Sequence, residues 1–352
     1  MSRLDCSVGC CSTSTNSTRP SKLQMPKRIK RDPPFFGKFV HFHHEEVSRG
    51  REILRGDFAT MYKAHIIGRS KFAVMKIYTN PSDFTALKRM PKVKRHQNLV
   101  AIIGMVTYKK RLCLLEEHYS LGSLDQLHDK IDLVHHFHQI ASDVLRGLLF
   151  LHQDCGIVHG QLACRSLLMN TSGIVSIADY GVQVLPNQNQ ELTEIAWQWV
   201  APERLLMEDE KQQELLMPKS DVWSLGVTLW EILSGGALPY AAEKVRLEIT
   251  RDSTVIEMIK TKKIRLGFPV GTTALFCERN MIANCLIFDT SQRPTLLNLE
   301  EFLDNFYDKN WLQMRKKFQS PGIKRDDDKY HLGVHMEDFH AISGGRGDLL
   351  KN

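Results

Sequence analysis

The chain of 352 residues is 42% hydrophobic and 25% charged, the balance of an ordinary globular protein able to bury one large core or two modest ones. No apolar run reaches the roughly 18 residues of a membrane-spanning helix and no charged-then-apolar secretory amino terminus is present, so an intracellular, cytoplasmic location is expected. Eight cysteines without paired spacing argue for reduced thiols rather than a disulfide framework or a zinc motif, and a net charge of +7 spread over short basic clusters, with no nucleic-acid fold signature, argues against nucleic acid as a partner.

Residues 1–34 are Ser/Thr-rich, then basic, and close at Pro33-Pro34 without helical or alternating period, so a disordered tail is expected, followed by a linker over 35–47. Cys6, Cys10 and Cys11 ahead of Lys27-Arg28-Ile29-Lys30-Arg31 have the composition of acylation plus a polybasic patch, which would give peripheral membrane contact. With no Gly after Met1, the plainer reading is a tail of unmodified thiols.

From about Ser48, two strand-like runs, 52–63 and 71–78, flank a turn at Gly68. Alternation in the second sets Lys76 on one face with Phe72 and Val74. A third run, 112–119, precedes Leu121-Gly122-Ser123-Leu124. Val134, Phe137, Ile140, Ala141, Val144, Leu145, Leu148, Leu149 and His152 then recur at helical spacing and predict a core helix of an α-rich lobe. His135, His136 and His138 beside them point to different faces and have no carboxylate at ligand spacing, so a solvated polar face is expected there rather than a metal site. The helix leads to His159-Gly160-Gln161-Leu162-Ala163-Cys164-Arg165-Ser166, then to a strand-like run, 174–178, ending in Asp179-Tyr180-Gly181. Downstream come Ala201-Pro202-Glu203, a buried-type helix over 220–232 that Ser220 can cap, and a segment with Asp289, Arg293, Pro294 and Thr295. Residues 306–352 read as a short amphipathic helix through Trp311 and Met314 and a polar tail.

Taken in order, these motifs resemble the tyrosine-type protein kinase family over about residues 48–305. The 159–166 loop resembles the family's His-Arg-Asp-Leu-Ala-Ala-Arg-Asn, with Leu162, Ala163 and Arg165 matching the tyrosine branch. The resemblance implies an α+β class and a bilobal protein-kinase-like fold, with a small β-rich N-lobe over 48–117 and a larger α-helical C-lobe over 120–305. It assigns nucleotide contacts to Gly56, Lys76, Glu117 and Tyr119, the gatekeeper position to Glu116, and a magnesium contact to Asp179. Arg293 is implied to pair with Glu203.

The chemical positions of that pattern are degraded. Gln161 stands where the family has its catalytic Asp, and a neutral amide cannot serve as a general base at pH 7. Ser166 replaces the second magnesium ligand, and Gly160 replaces an Arg that pairs with an activation-segment phosphate. Leu54 and Ala59 replace two of the three loop glycines, leaving Gly56. Leu87 falls at the helix Glu that pairs with the lysine, and Pro91 breaks that helix as aligned. Between Gly181 and Ala201 the single phosphorylatable residue is Thr193. Glu116 is expected either to pair with Lys76 in place of the absent Glu or to rotate into water.

With structural motifs kept and no catalytic residue intact, the resemblance implies a pseudokinase: a signalling scaffold or allosteric partner that binds ATP weakly, with magnesium or manganese left open. Signalling proteins, an active kinase among them, are the implied partners. The alternatives are a low-activity kinase transferring the γ-phosphate of ATP to protein, and a membrane-recruited adaptor.

Overall fold

A computed structural model of the chain describes residues 40–56, 59–78, 93–181, 196–206 and 218–306. The amino-terminal tail with its cysteines and basic cluster, Leu87 and Pro91, Thr193, and the helix expected through Trp311 and Met314 lie outside the described residues.

Strands β1 (His41–Phe42), β2 (Val47–Arg55), β3 (Ala59–Ile66), β4 (Ala73–Tyr78), β5 (Ile102–Tyr108) and β6 (Arg111–Glu117) form one six-stranded sheet in the order β1-β5-β6-β4-β3-β2. Two expectations are corrected here. Residues 52–63 are not one strand, because the chain folds back at Gly56, whose N–H donates to the Ala59 carbonyl at 3.0 Å. Nor is 41–46 linker: β1 pairs parallel to β5, and a 3-10 turn at His44–Glu46 joins it to β2. Gly104 makes the close approach possible, since a Cβ there would come within 2.8 Å of the Phe42 ring. A two-residue strand is too short to carry an alternating pattern, so nothing in its sequence announces it.

The side-chain period of two divides the sheet into two faces. Ala73 and Met75 join Phe42, Val47, Ala64, Ile66, Val106, Cys113 and Leu115 in a small outer core. Tyr78, Met105 and Leu114 point the other way and merge with the core of the second lobe. Phe72 departs from the expected alternation: it precedes β4, is 46% exposed, and lies under the Lys63 ammonium at 3.8 Å from the ring centre.

In the second lobe α1 (Phe137–Gln153) buries Phe137, Ile140, Ala141, Val144, Leu145, Leu148 and Leu151 completely. This is the three-four spacing of one helix face. A short hairpin, β7 (Leu167–Met169) with β8 (Val175–Ile177), carries the chain back under the sheet, where Val100 N–H donates to the Ile177 carbonyl at 2.8 Å. After α2 (Pro202–Leu205) comes α3 (Pro218–Leu233), buried all round from Ser220 to Leu233 and hence the axis of the lobe. Ser220 is therefore the third residue of this helix and not its cap; Pro218 begins it, where a missing N–H leaves no helix bond unmade. After α4 (Ala241–Arg246), α5 (Asp252–Lys260) packs on α2, α6 (Phe276–Cys285) on α3, and α7 (Leu296–Phe306) on α1. The expected Arg293–Glu203 pair is present and bidentate, at 2.8 and 3.2 Å. Among the described residues no helix is long and apolar enough to cross a membrane.

Candidate active site

The cleft between the lobes centres on Lys76. Strand register places Val74 opposite Glu116 and Lys76 opposite Leu114, so Lys76 and Glu116 are diagonal neighbours on the cleft face. From the other lobe, Asp179 follows β8 at φ 59°, a left-handed conformation that Asp tolerates better than most residues. The Lys76 Nζ lies 2.6 Å from Glu116 Oε2 and 2.6 Å from Asp179 Oδ1. Lys76 is 3% exposed and Glu116 4%. Of the two arrangements expected for Glu116, the structure has the buried pair.

The triad has one cation and two carboxylates, and its electrostatics follow from that count. Burial opposes the charge on Lys76, but Asp179 and Glu116 outweigh it and hold the ammonium far above its ordinary range. Burial pushes the Glu116 carboxyl up against the pull of Lys76, with Asp179 adding to the rise. For Asp179, burial also acts upward, but the charge and hydrogen bond of Lys76 prevail and lower it. The buried cleft floor thus carries an uncompensated negative charge whenever both acids are ionised.

The other positions given to nucleotide contacts sit around this floor. Gly56 is the turn of the β2–β3 hairpin, with Leu54 42% exposed on one side of it and Ala59 buried on the other. Glu117 donates its N–H to the Ala101 carbonyl at 3.0 Å, and its carboxylate reaches the exposed Lys71 only at 3.9 Å, a pair of little energetic weight. The Tyr119 hydroxyl turns behind this strand end and donates to Ser176 Oγ at 2.9 Å; Ser176 in turn donates to the Gln97 carbonyl at 2.7 Å.

The 159–166 loop is held by its own backbone and by α3. His159 is buried, donates from Nε2 to the Ala178 carbonyl at 2.9 Å, and accepts the Gln161 N–H on Nδ1 at 3.3 Å. Burial lowers its pKa and keeps the ring neutral. Asp221 accepts N–H groups from His159 and Gly160, both at 2.7 Å, and the His152 Nε2 at 2.8 Å. Gly160 sits at φ 81°, and its carbonyl accepts the guanidinium of Arg204 from α2. Ser166 is 3% exposed, and its hydroxyl accepts from Ala163 N–H at 3.2 Å while donating to the Ala163 carbonyl at 2.8 Å. Both its proton and a lone pair are engaged by the loop itself. Gln161 is half-buried and offers an amide where a base would have to stand. Asp154, the nearest acid before the loop in sequence, is the C-cap residue of α1.

Tyr180 occupies a buried position and its hydroxyl donates to the Val100 carbonyl at 2.6 Å. Tyr180→Phe is expected to lower the unfolding free energy by about 1 kcal/mol, read as a shift in urea midpoint without a change in slope.

Sequence reasoning located Lys76, Glu116 and Asp179 but missed three groups that fix the loop: Asp221, Arg204 and the inward hydroxyl of Ser166. Asp221 lies in a helix recognisable in sequence, yet nothing local says that its carboxylate reaches back to residues 152–160. An ammonium has three donors, and Lys76 uses two on Glu116 and Asp179. One donor remains that could take a phosphate, and the side chain of Asp179, 36% exposed, has a second oxygen that could take a metal ion. The arrangement fits one phosphate contact and one metal contact, with neither a second metal ligand nor a base at the loop.

Comparison with known proteins places the same stretch of chain. The family described as protein tyrosine and serine/threonine kinase matches residues 47–303. The serine/threonine-protein kinase STY46 of Arabidopsis thaliana is 31% identical over 264 residues, 72% of this chain and 43% of that protein. The tyrosine-protein kinase transmembrane receptor Ror of Drosophila melanogaster is 25% identical over 76% of this chain and 40% of its own length. Megakaryocyte-associated tyrosine-protein kinase of Mus musculus is 26% identical over 82% and 54% respectively. The chain thus spans about half or less of the length of these relatives, and they include both serine/threonine and tyrosine kinases.

Proposed function

The chain belongs to the protein tyrosine and serine/threonine kinase family, and from that premise we propose that it is a catalytically impaired, tyrosine-kinase-like pseudokinase acting as a signalling scaffold or allosteric partner. The observation that carries this reading is the loop. Gln161 has no basic group to take a hydroxyl proton, and Ser166 spends its hydroxyl on Ala163 in place of a metal. Bound ATP with its divalent ion would supply the transferable phosphoryl group; Lys76 would hold a phosphate and Asp179 the ion. Glu116 works against that binding, because its carboxylate adds negative charge beside the phosphate contact. Nucleotide affinity is accordingly weak. Regulation then comes from differential binding: a nucleotide or a protein partner, an active kinase among the candidates, favours one lobe arrangement over another.

A second reading, a low-activity kinase, is favoured by the retained Lys76–Asp179 contact at 2.6 Å.

Titration with ATP, with magnesium or manganese, followed by thermal unfolding, tests the nucleotide part. A ligand at 100 times its dissociation constant stabilises by about 2.7 kcal/mol. Glu116→Thr is expected to show its shift at lower ATP than the wild type. Equal shifts would mean that Glu116 does not limit binding, and no shift in either protein would remove nucleotide from the account.

A further inference from the structure

Where the 159–166 loop meets α3, three donors of different chemistry converge. Cys164 lies on the 3-10 turn Cys164–Ser166, Glu231 on α3, and His128 just past the 3-10 turn Leu124–Gln126. Their ligand atoms all lie within 4.8 Å of one another. Cys164 is 0% exposed and Glu231 7%. The His128 Nε2 is buried and has no hydrogen-bond partner. A buried ring nitrogen without a partner is costly, and in a native protein it calls for an explanation such as an ion.

The surroundings hold the three in place. Gly236, at φ 82°, is the only residue type that leaves the His128 ring its space, since a Cβ there would come within 2.6 Å of it. Glu231 Oε2 accepts the Cys164 N–H at 3.2 Å and the Trp199 Nε1–H at 3.0 Å, which fixes the carboxylate beside the thiol. A carboxylate has about four lone-pair sites, so acceptor capacity remains. The Cys164 thiol is hydrogen-bonded to the Glu231 carboxylate and has a weaker contact to the Thr228 carbonyl at 3.7 Å.

We propose that His128, Cys164 and Glu231 form a zinc site that ties the 159–166 loop to α3. Thiolate, imidazole and carboxylate form a donor set suited to zinc, with bonds of about 2.0–2.3 Å. Tetrahedral ligands are then about 3.5 Å apart, so the trio closes by roughly one ångström to bind. Charge favours the ion: a dication balances one thiolate and one carboxylate, and the thiol proton leaves to water on binding. The trio is assembled by tertiary structure from three distant segments, which is why no zinc spacing exists in the sequence.

The test uses the full chain, with Cys6, Cys10 and Cys11 replaced by Ser in every sample, stripped with a chelator and titrated with cobalt(II), then zinc. Expected is a thiolate-to-cobalt charge-transfer band that saturates at a single equivalent, is displaced by zinc, disappears in Cys164→Ala, and needs roughly tenfold more metal or higher in His128→Ala. Zinc is also expected to raise the melting temperature of the parent but not of Cys164→Ala. Ala is the residue that the related kinase loop carries at this position, so that variant is compatible with the fold, and circular dichroism of the metal-free proteins checks it. A band unchanged in Cys164→Ala, or none in a folded parent, overturns the proposal.

Discussion

Asp221→Ala is expected to lower the unfolding free energy by about 3–5 kcal/mol, a large part of the 5–15 kcal/mol typical of a domain. The carboxylate is fully buried and accepts three donors, the backbone N–H groups of His159 and Gly160 and the ring of His152. Truncation strands all three, two of them in the loop. Burial acts to raise the Asp221 carboxyl, but the hydrogen bonds from the His152 ring and the Gly160 N–H hold it below the ordinary value. A lowered acid contributes stability above its unfolded pKa of about 3.9 and loses it as pH falls through the folded value. Urea unfolding at neutral pH and again near pH 3 is therefore expected to give a smaller difference between wild type and variant at the lower pH. A neutral-pH loss under 1 kcal/mol would show that the loop does not depend on this anchor.

Lys76→Met is expected to cost about 3 kcal/mol, the low end for breaking a buried pair because the Asp179 side chain is 36% exposed and can relax toward water. The variant leaves Glu116 and Asp179 facing one another without the cation that now lies 2.6 Å from each. In the wild type the two acids work in opposite senses. The raised Glu116 contributes most below its unfolded value and loses that contribution as pH rises through its folded value; the lowered Asp179 does the reverse. Without Lys76 both carboxyls are pushed upward, so the variant gains stability as pH falls. The difference from wild type, measured by urea unfolding, is expected to be smaller near pH 5 than near pH 8. A difference independent of pH over that range would mean that the triad does not exist in solution. In inhibitor or nucleotide assays, loss of binding in Lys76→Met therefore mixes a missing phosphate contact with a damaged cleft, which makes Glu116→Thr the cleaner probe.

The fold was legible in the sequence wherever a periodic pattern or an ordered motif was long enough to register. The seven completely buried positions of α1 follow helical spacing, and the Arg293–Glu203 pair is one that the family resemblance implies. For Glu116 the sequence leaves two arrangements open, pairing with Lys76 or rotation into water, and it is the strand register of the folded sheet that makes the pair. Features that depend on a single close approach were not legible. Strand β1 requires Gly104 to admit Phe42, a fact of packing that no run of two residues conveys. Ser166 was recognisable as a substitution, but the exchange of its hydroxyl with Ala163 is a matter of side-chain direction. Tyr119 illustrates the same limit: the run 112–119 reads as strand, yet β6 ends at Glu117 and the Tyr119 hydroxyl beyond it points to Ser176. His128, Cys164 and Glu231 share no local pattern at all.

Transfer of labelled γ-phosphate from ATP to the chain itself and to a generic protein substrate, compared between wild type and Asp179→Asn in magnesium and in manganese, tests the central claim most directly. Loss of a positioned base alone costs about 10²- to 10⁴-fold in rate, and here the second metal ligand is missing as well. The account predicts that the two proteins are indistinguishable from each other and from a no-enzyme control. Phosphate incorporation by the wild type that disappears in Asp179→Asn would contradict it and establish an active kinase.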